Sequence, residues 1–316
     1  MMNFEARGGV YPTMITPYKD GEIDYEAVEN LVEWYWKKGC DGIFAACQSS
    51  EIMYLTLDER VKLTRTVIAK AKALAEADRT RPPMMIVASG HVSDRFEEQV
   101  RELNAIAAEK PDAVILITNR MDIANTTDEK WIEETEKLIA ELPADMPLGV
   151  YECPKPYKRS LSEKMIKWCA DNGRFYFMKD TCGDLKTLRR RIEICKNSHL
   201  KIFNANAQTM LQSARDGAFG YCGVMANFHP QLFSRLLNAD TLNDQKTELL
   251  QLYLTHAALV EFYLVYPCIA KYHLDRYEGV SMSTYARSAD HTLLTDYQKY
   301  CMDQFAALSK YVEEHL

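Results

Sequence analysis

Short apolar runs alternate along the chain with longer amphipathic segments, and this alternation predicts the fold. Eight runs of five to eight residues are predicted strands; they begin at Gly9, Gly42, Met84, Ala113, Leu148, Phe175, Lys201 and Ala218. The runs are almost continuously apolar, as is typical of parallel strands that are buried on both faces. The pattern therefore predicts a sheet of parallel strands joined by crossover helices.

The segments between the strands have helical periodicity. After Leu57, apolar or small residues recur at spacings of three and four, at Val61, Thr64, Ile68, Ala71 and Leu74. Three segments also carry the spacing of a capping box, in which a hydroxyl and a carboxylate satisfy free amides at a helix start: Thr56 with Glu59, Thr126 with Glu129, and Ser160 with Glu163. Each pair predicts a helix that begins a few residues after a strand.

Eight strands alternating with helices predict an α/β fold, a TIM (β/α)8 barrel. A doubly wound open sheet is the alternative, although no G-x-G-x-x-G segment follows the first strand. From about Pro230 onward the pattern is helical only. We therefore expect residues 1–230 to form the barrel, with the site at its C-terminal face. Residues 231–316 would supply the last barrel helix and additional C-terminal helices of the same functional unit.

Composition and charge narrow the class of protein. The 316 residues are 47% hydrophobic and 26% charged, and the net charge of -7 argues against general nucleic-acid binding. The nine cysteines include no C-x-x-C pair, which favours a reducing compartment over a disulfide framework. The N-terminal MMNFEARGG lacks the pattern of a secretory signal, and no segment is apolar over the length of a membrane span. We expect a cytoplasmic protein with no membrane partner.

Catalytic groups of a barrel lie at the C-terminal ends of its strands, where Lys179 is the most informative residue. It directly follows the apolar run FYFM, and desolvation favours the neutral amine, which can attack a carbonyl. The alternative is a lysine that extends to solvent. Tyr151 ends the neighbouring strand and could relay protons, or it could simply pack in the barrel. Ser49 and Ser50 precede a helix and could hold a carboxylate.

Four segments resemble the dihydrodipicolinate synthase / N-acetylneuraminate lyase family of pyruvate-dependent aldolases and lyases. In chain order they are Cys47-Gln48-Ser49-Ser50-Glu51, Tyr151-Glu152-Cys153-Pro154, Lys179-Asp180-Thr181-Cys182-Gly183, and Gly217-Ala218-Phe219-Gly220 with Asn227 and Pro230. They resemble the family's G-T-T-G-E, Y-N-x-P, K-[DE]-x-[ST]-G and G-A-x-G…N segments. The resemblance runs essentially end to end. It implies that Lys179 forms a Schiff base, that Tyr151 relays protons, and that Ser49 and Ser50 bind the keto-acid carboxylate.

The chain also departs from the family pattern. Gln48 stands where a relay threonine is usual, and Met121 where a neighbouring subunit often lends a tyrosine. The synthase's substrate-binding arginine aligns with Pro156. These departures predict an activity other than that of dihydrodipicolinate synthase.

Several residues could replace the missing groups. His91 could supply acid/base chemistry near neutral pH, or could be a satisfied loop histidine. Arg120, Lys155, Lys158 and Arg159 could form a basic rim for an anionic substrate, or a set of solvated charges. Gln48, His91, Arg120, Gly223 and Val224 are thus possible substrate contacts. Cys47, Cys153, Cys182, Cys222 and His91 could bind zinc, but single cysteines on separate loops favour packing, and we expect no metal.

Three functions remain open. The first is a class I lyase or aldolase that makes or breaks a C–C bond with pyruvate or a related 2-keto acid, and it is favoured. The second is a Schiff-base sugar-acid dehydratase, and the third is a non-catalytic protein that binds keto acids or sugar acids. The imine acts as the electron sink, so no cofactor is expected. The resemblance also implies a homotetramer or homodimer.

Overall fold

The computed structural model describes residues 7–259 and 264–316. These residues contain ten strands: β1 (Gly9–Val10), β2 (Tyr18–Lys19), β3 (Glu22–Ile23), β4 (Gly42–Ala45), β5 (Met85–Ser89), β6 (Ala113–Ile117), β7 (Leu148–Tyr151), β8 (Phe175–Asp180), β9 (Lys201–Asn204) and β10 (Gly220–Tyr221). β2 and β3 form a small antiparallel hairpin. The other eight strands coincide with the eight apolar runs, which confirms the strand prediction.

The described helices surround these strands. They are α1 (Tyr25–Lys37), α2 (Leu57–Ala77), α3 (Phe96–Ala107), α4 (Asp128–Ala140), α5 (Glu163–Asn172), α6 (Leu185–Cys195), α7 (Met210–Arg215), α8 (Pro230–Leu236), α9 (Gln245–Ala257), α10 (Cys268–Glu278) and α11 (Asp296–His315). Short 3-10 turns cover Ile52–Tyr54, Thr118–Arg120, Ala207–Thr209, Val224–Asn227, Ala239–Thr241 and His291–Leu293. No helix in the described part of the chain is long and apolar enough to cross a membrane.

The parallel sheet closes into a barrel. Its strand order runs from β1 through β10, β9, β8, β7, β6 and β5 to β4. The two ends of this order meet at a bridge between Thr13 and Phe44, where Met14 N donates to Phe44 O at 3.1 Å and Phe44 N donates to Pro12 O at 2.9 Å. β1 is short because Pro12 has no N–H for the ladder. The predicted (β/α)8 barrel with additional C-terminal helices is confirmed.

Two of the three predicted helix starts are displaced. Thr56 and Glu59 do form a capping box on α2. Thr126 instead donates its hydroxyl to Asp122 at 2.9 Å, and Thr127 caps α4. Likewise Ser162, not Ser160, caps α5. In both cases the chain is fixed just before the helix by a buried carboxylate that the local spacing does not reveal.

Aromatic side chains fill the barrel interior below the C-terminal ends of the strands. The Phe177 and Phe203 rings stack at 4.3 Å, and Tyr11 meets Phe203 at 4.7 Å. Phe44 packs edge-on against Phe177 and Tyr151. This aromatic layer fills the interior beneath the end of the barrel where the βα loops gather.

Candidate active site

A cavity of about 370 Å³ lies at this end of the barrel. Lys179 and Tyr151 line it, together with Gln48, Ser49, Gly223 and Val224. Six of the nine residues proposed from the sequence therefore converge on one cavity. Ser50, His91 and Arg120 do not line it.

Lys179 and Tyr151 are brought together by strand register. They are Cα partners across the parallel pair β7 and β8, so their side chains leave the same face of the sheet. Lys179 Nζ lies 4.3 Å from the centre of the Tyr151 ring and 5.7 Å from that of Phe44, and only 5% of the residue is exposed. Lys271 is also buried, but Glu51 pairs with it at 3.3 Å. The Lys179 side chain instead lines the cavity, and its amine lies over the Tyr151 and Phe44 rings.

A buried ion network fixes the ends of β7 and β8. Arg191 of α6 donates to Asp180 Oδ2 at 2.5 Å and to Glu152 Oε1 at 2.8 Å. Both carboxylates are fully buried, and burial raises the pKa of Glu152 against the opposing charge of Arg191. Glu152 follows Tyr151 and Asp180 follows Lys179 along the chain. The network therefore sets the relative position of the two residues that face the cavity.

Arg191 was not identified from the sequence, although a signal was present. It shares the inner face of α6 with Leu188 and Cys195, three residues before it and four after it. An arginine within an apolar helical stripe needs buried carboxylate partners, because an unpaired charge in a core is costly. Two carboxylates directly follow the proposed catalytic residues.

The predicted carboxylate loop is only partly arranged as expected. Ser49 lines the cavity, and its hydroxyl donates to Thr13 Oγ1 at 3.1 Å. The predicted role of Ser50 in binding a carboxylate is wrong. Its hydroxyl donates to Met14 O at 2.6 Å and accepts from Cys47 N at 3.1 Å. These bonds hold the loop itself, so the Ser50 hydroxyl is not available to a ligand. Glu51 adopts a left-handed φ of 63° as the loop turns.

Gln48 and Cys153 meet beside Tyr151. The Cys153 thiol donates to Gln48 Oε1 at 3.3 Å. Burial raises the pKa of Tyr151 well above its usual value, and the neighbouring Cys153 adds to this effect. Tyr151 is therefore a protonated phenol at neutral pH.

Gly223 and Val224 form part of the cavity wall. A Cβ on Gly223 would lie 2.3 Å from the Tyr221 hydroxyl oxygen and 2.5 Å from Ala205 O, closer than side-chain atoms can approach. The absence of a side chain at this position lets the backbone pass close to β9. Val224 follows in the 3-10 turn that borders the cavity.

The proposed role of His91 is wrong. The residue is fully buried; its Nε2 accepts from Ile117 N at 2.6 Å and its Nδ1 pairs with Gln99 Oε1 at 3.2 Å. Burial lowers the pKa of His91 to about 4, although the bond to Gln99 opposes this. His91 is thus a neutral structural residue, which was the alternative interpretation, and it cannot act as an acid/base group near neutral pH.

The expected basic rim is reduced to two lysines. Arg120 pairs with Asp94 at 2.6 Å and borders a separate cavity, so its assignment as a contact in the Lys179 cavity is wrong. Arg159 is buried against Asp122 at 2.7 Å. Lys155 and Lys158 do line the cavity. The loop that carries them is held by Asn119, whose Nδ2 donates to three carbonyls, those of Cys153, Lys155 and Tyr157.

Other lining residues come from distant parts of the chain and were missed. They are Tyr54, Thr181, Asn206, Tyr266 and Ser288, among others. Asn206 follows β9 and could have been selected by its strand-end position, whereas nothing local marks Tyr266 or Ser288. In residues 7–259 and 264–316, no group of three His, Cys, Asp or Glu side chains is arranged to hold a metal ion.

The comparisons with known proteins agree with this architecture. The model of the dihydrodipicolinate synthetase family matches residues 6–76 and 127–307. The chain belongs to this family. The unmatched residues 77–126 include His91 and Arg120, the two predicted contacts that lie away from the cavity.

Curated relatives and solved structures resemble the chain at low sequence identity. It is 26% identical over 232 residues to 4-hydroxy-tetrahydrodipicolinate synthase of Methanothrix thermoacetophila, covering 73% of each chain. The Roseobacter denitrificans synthase is 25% identical, with 76% of this chain and 78% of the relative covered. Two solved structures share the fold with a TM-score of 0.82: dihydrodipicolinate synthase DapA-2 of Bacillus anthracis (18% identity, 96% and 98% covered) and sialic acid aldolase of Ruminococcus gnavus (16%, 97% and 98%).

Proposed function

We propose that this chain is a class I lyase or aldolase, in which Lys179 forms a Schiff base with pyruvate or a related 2-keto acid. The observation that carries the proposal is the position of Lys179. Lys179 is 5% exposed, its Nζ lies 4.3 Å from the centre of the Tyr151 ring, and the residue borders a cavity of about 370 Å³. A desolvated amine that is accessible to a small ligand is suited to attack a carbonyl carbon.

The proposed chemistry assigns one task to each group. Lys179 Nζ attacks the C2 carbonyl, and a proton moves from nitrogen to oxygen to give a carbinolamine. Proton transfer through Tyr151 lets that oxygen leave as water, which yields the iminium ion. Tyr151 next takes the proton from the hydroxyl on the departing carbon, which leaves as an aldehyde, and the electron pair of the broken C–C bond turns the iminium into an enamine. Protonation of the enamine carbon and hydrolysis by water then release the keto acid and the free lysine. The Ser49 hydroxyl turns from Thr13 Oγ1 toward the cavity and donates to the keto-acid carboxylate.

We also propose that the substrate differs from that of dihydrodipicolinate synthase. Met121 and Pro156 stand where the resemblance would place a shared tyrosine and a substrate-binding arginine. The cavity is lined instead by Lys155, Lys158 and Asn206. Cationic and amide groups together suit an anionic, hydroxylated substrate such as a sugar acid.

Borohydride trapping tests the imine. Incubation with pyruvate and sodium borohydride should add a single reduced adduct, located at Lys179 by peptide mass spectrometry. The Lys179→Arg variant should give no adduct. Lys201→Arg is the matched control, because Lys201 begins β9 at the opposite end of the barrel. A wild-type protein that traps no pyruvate, or traps it equally in Lys179→Arg, would refute the mechanism.

Analysis of the products distinguishes a lyase from a dehydratase and from a non-catalytic binding protein. We expect 2-keto-3-deoxy sugar acids to release pyruvate, as an aldol cleavage requires. Loss of water without pyruvate release would identify a dehydratase, and binding without turnover would identify a non-catalytic protein.

The chain is further proposed to form a homodimer or homotetramer. Exposed apolar side chains on α11 support this, since Tyr297, Tyr300, Leu308 and Tyr311 are each more than half exposed, at 76%, 60%, 51% and 58%. Light scattering after size-exclusion chromatography tests it, and a monomeric mass at micromolar concentration would exclude it.

A further inference from the structure

A buried ion pair joins the C-terminal part of the chain to the loop that carries Ser49. Lys271 Nζ of α10 lies 3.3 Å from Glu51 Oε1, and both side chains are 0% exposed. The other oxygen, Glu51 Oε2, accepts from Ser288 N at 2.7 Å, while Lys271 Nζ also donates to Tyr285 O at 2.6 Å. One carboxylate is therefore held by two groups that lie 220 and 237 positions away along the chain.

Glu51 ends the turn on which Ser49 lies. Its N–H donates to Gln48 O at 2.9 Å, so Ser49 and Ser50 are the two central residues of a four-residue turn. The φ of Glu51 is 63°, a left-handed conformation that a residue other than glycine keeps only where surrounding contacts hold it. The contacts to the Glu51 carboxylate provide this restraint, and the position of the Ser49 side chain depends on them.

The same contacts bring a C-terminal segment, residues 285–288, to the cavity. Glu51, Ser288 and Tyr54 all line the cavity. Arg287, which precedes Ser288, donates to Tyr54 O at 3.2 Å and pairs with Glu59 of α2 at 2.8 Å. The segment is thus tied to α10 at one end and to α2 at the other, and it passes beside the carboxylate loop.

The location of the Lys271–Glu51 pair indicates more than a contribution to stability. Burying two charges costs about as much free energy as their attraction returns, so a stable fold does not require such a pair. Both oxygens of Glu51 are occupied by Lys271 and Ser288, so the carboxylate can affect a ligand only through the residues that it holds in place.

We propose that Glu51 is a positioning residue for the Ser49 hydroxyl, held by Lys271 and Ser288, and that the C-terminal part of the chain thereby determines how tightly the pocket binds a keto-acid carboxylate. The inference rests on the proposed function, in which Ser49 donates to that carboxylate. It makes residues beyond 230 a determinant of keto-acid affinity.

The test measures how borohydride trapping at Lys179 depends on the concentration of pyruvate. Glu51→Gln replaces one acceptor oxygen by an amide nitrogen, which cannot accept from Lys271 or from Ser288 N, so one of the two contacts is lost. The half-saturating pyruvate concentration should rise about tenfold, the equivalent of one hydrogen bond to a charged group. The yield of adduct at saturation should not change.

The direction of this change distinguishes positioning from a simple effect of charge. Glu51→Gln removes a negative charge from the cavity wall and leaves Lys271 unpaired, so electrostatics alone would leave pyruvate binding unchanged or make it tighter. A double-mutant cycle with Ser49→Ala then tests the route. In the Ser49→Ala background, Glu51→Gln should change the half-saturating concentration by less than about twofold.

Glu102→Gln is the matched control. Glu102 is a buried carboxylate that pairs with Arg60 at 2.9 Å and accepts from two backbone amides of the loop after β5, but neither residue of this pair lines the Lys179 cavity. This variant should lower Tm without moving the half-saturating concentration. If Glu51→Gln does not fold, the double variant Glu51→Gln, Lys271→Met takes its place, because it leaves no lone buried cation.

Each outcome supports or overturns the inference. A half-saturating concentration that is unchanged or lower in Glu51→Gln would overturn it and leave the proposed function standing. An equal rise in Glu102→Gln, or an undiminished rise in the Ser49→Ala background, would overturn it in the same way. If the wild-type protein traps no pyruvate, the proposed function fails and the inference fails with it.

Discussion

Replacement of Arg191 by methionine should strongly destabilise the protein. The change removes a guanidinium that is 3% exposed and that bonds Asp180, Glu152 and the carbonyl of Leu161. Both carboxylates are 0% exposed, so each would be left charged and poorly compensated. Truncation of one partner of a buried ion pair typically costs about 3–5 kcal/mol.

The hydrogen bonds that Glu152 and Asp180 keep in the variant determine where the loss of stability lies within that range. Glu152 would keep the Leu161 and Thr181 amides at 2.7 and 3.2 Å, and Asp180 would keep the Cys182 amide at 2.8 Å. We therefore expect a loss of about 4 kcal/mol rather than the sum of two orphaned charges. An unfolding entropy of about 2.1 cal/mol/K per residue converts this to a fall in Tm of about 6 °C for the 316 residues.

The pH dependence of the loss identifies its cause. Burial already raises the folded-state pKa of Glu152, and loss of the opposing Arg191 charge would raise it further, so the folded variant would bind more protons than the folded wild type. The stability of the variant would then fall, relative to wild type, as pH rises through the range in which Glu152 loses its proton. The stability deficit should therefore be largest at pH 7 and smaller near pH 4.

Calorimetry and urea unfolding of matched variants provide the assay. The control is Arg65→Met, which breaks the exposed pair with Glu109 and should have little effect. The triple variant Glu152→Gln, Asp180→Asn, Arg191→Met removes the charges together and should lose less stability than Arg191→Met alone. Equal losses in Arg191→Met and Arg65→Met, or a deficit that does not change with pH, would refute the reasoning.

Two further predictions concern His91 and Gly223. Because burial lowers the pKa of His91 to about 4, below its unfolded value, stability should fall as pH decreases from 6.5 toward 4, by about 2 kcal/mol at pH 5 from this residue. Urea unfolding of His91→Gln should show that much less loss between pH 7 and pH 5, and parallel curves would contradict the assignment. Gly223→Ala should displace the wall of the cavity, because its Cβ would lie 2.3 Å from the Tyr221 hydroxyl oxygen. We expect weaker pyruvate trapping than in Gly173→Ala, which strains the backbone at a φ of 79° but adds a Cβ that meets no atom within 4 Å, at the end of α5. Equal trapping would show that the wall adjusts.

Local sequence patterns located the strands well and the helix starts less well. The buried parallel strands are continuous apolar runs, a signal that needs no partner to be recognised. Thr126 and Ser160 have correct capping spacing but are displaced by contacts across the chain: Asp122 holds Thr126, and Glu152 accepts from Leu161 N just before α5. Such contacts override a local preference.

At the candidate site, too, local sequence patterns identified some residues correctly and others wrongly. Lys179 and Tyr151 were identifiable because each ends an apolar strand, and register then places them side by side. His91 and Arg120 also follow strands, but their side chains turn into hydrogen bonds with Gln99 and Asp94. A position at a strand end therefore does not specify the direction of a side chain after the backbone leaves the sheet.

The sequence by itself determined the barrel and the neighbouring positions of Lys179 and Tyr151 at its strand ends, because those features depend on hydrophobic period and strand order. Only the tertiary structure decided which polar groups face the cavity. Arg191 bonds Glu152, 39 positions away, and the Cys153 thiol bonds Gln48, 105 positions away. Tyr266 and Ser288 reach the cavity from the C-terminal part of the chain. Such contacts depend on the closure of the barrel and the return of the C-terminal helices, and no local pattern encodes them.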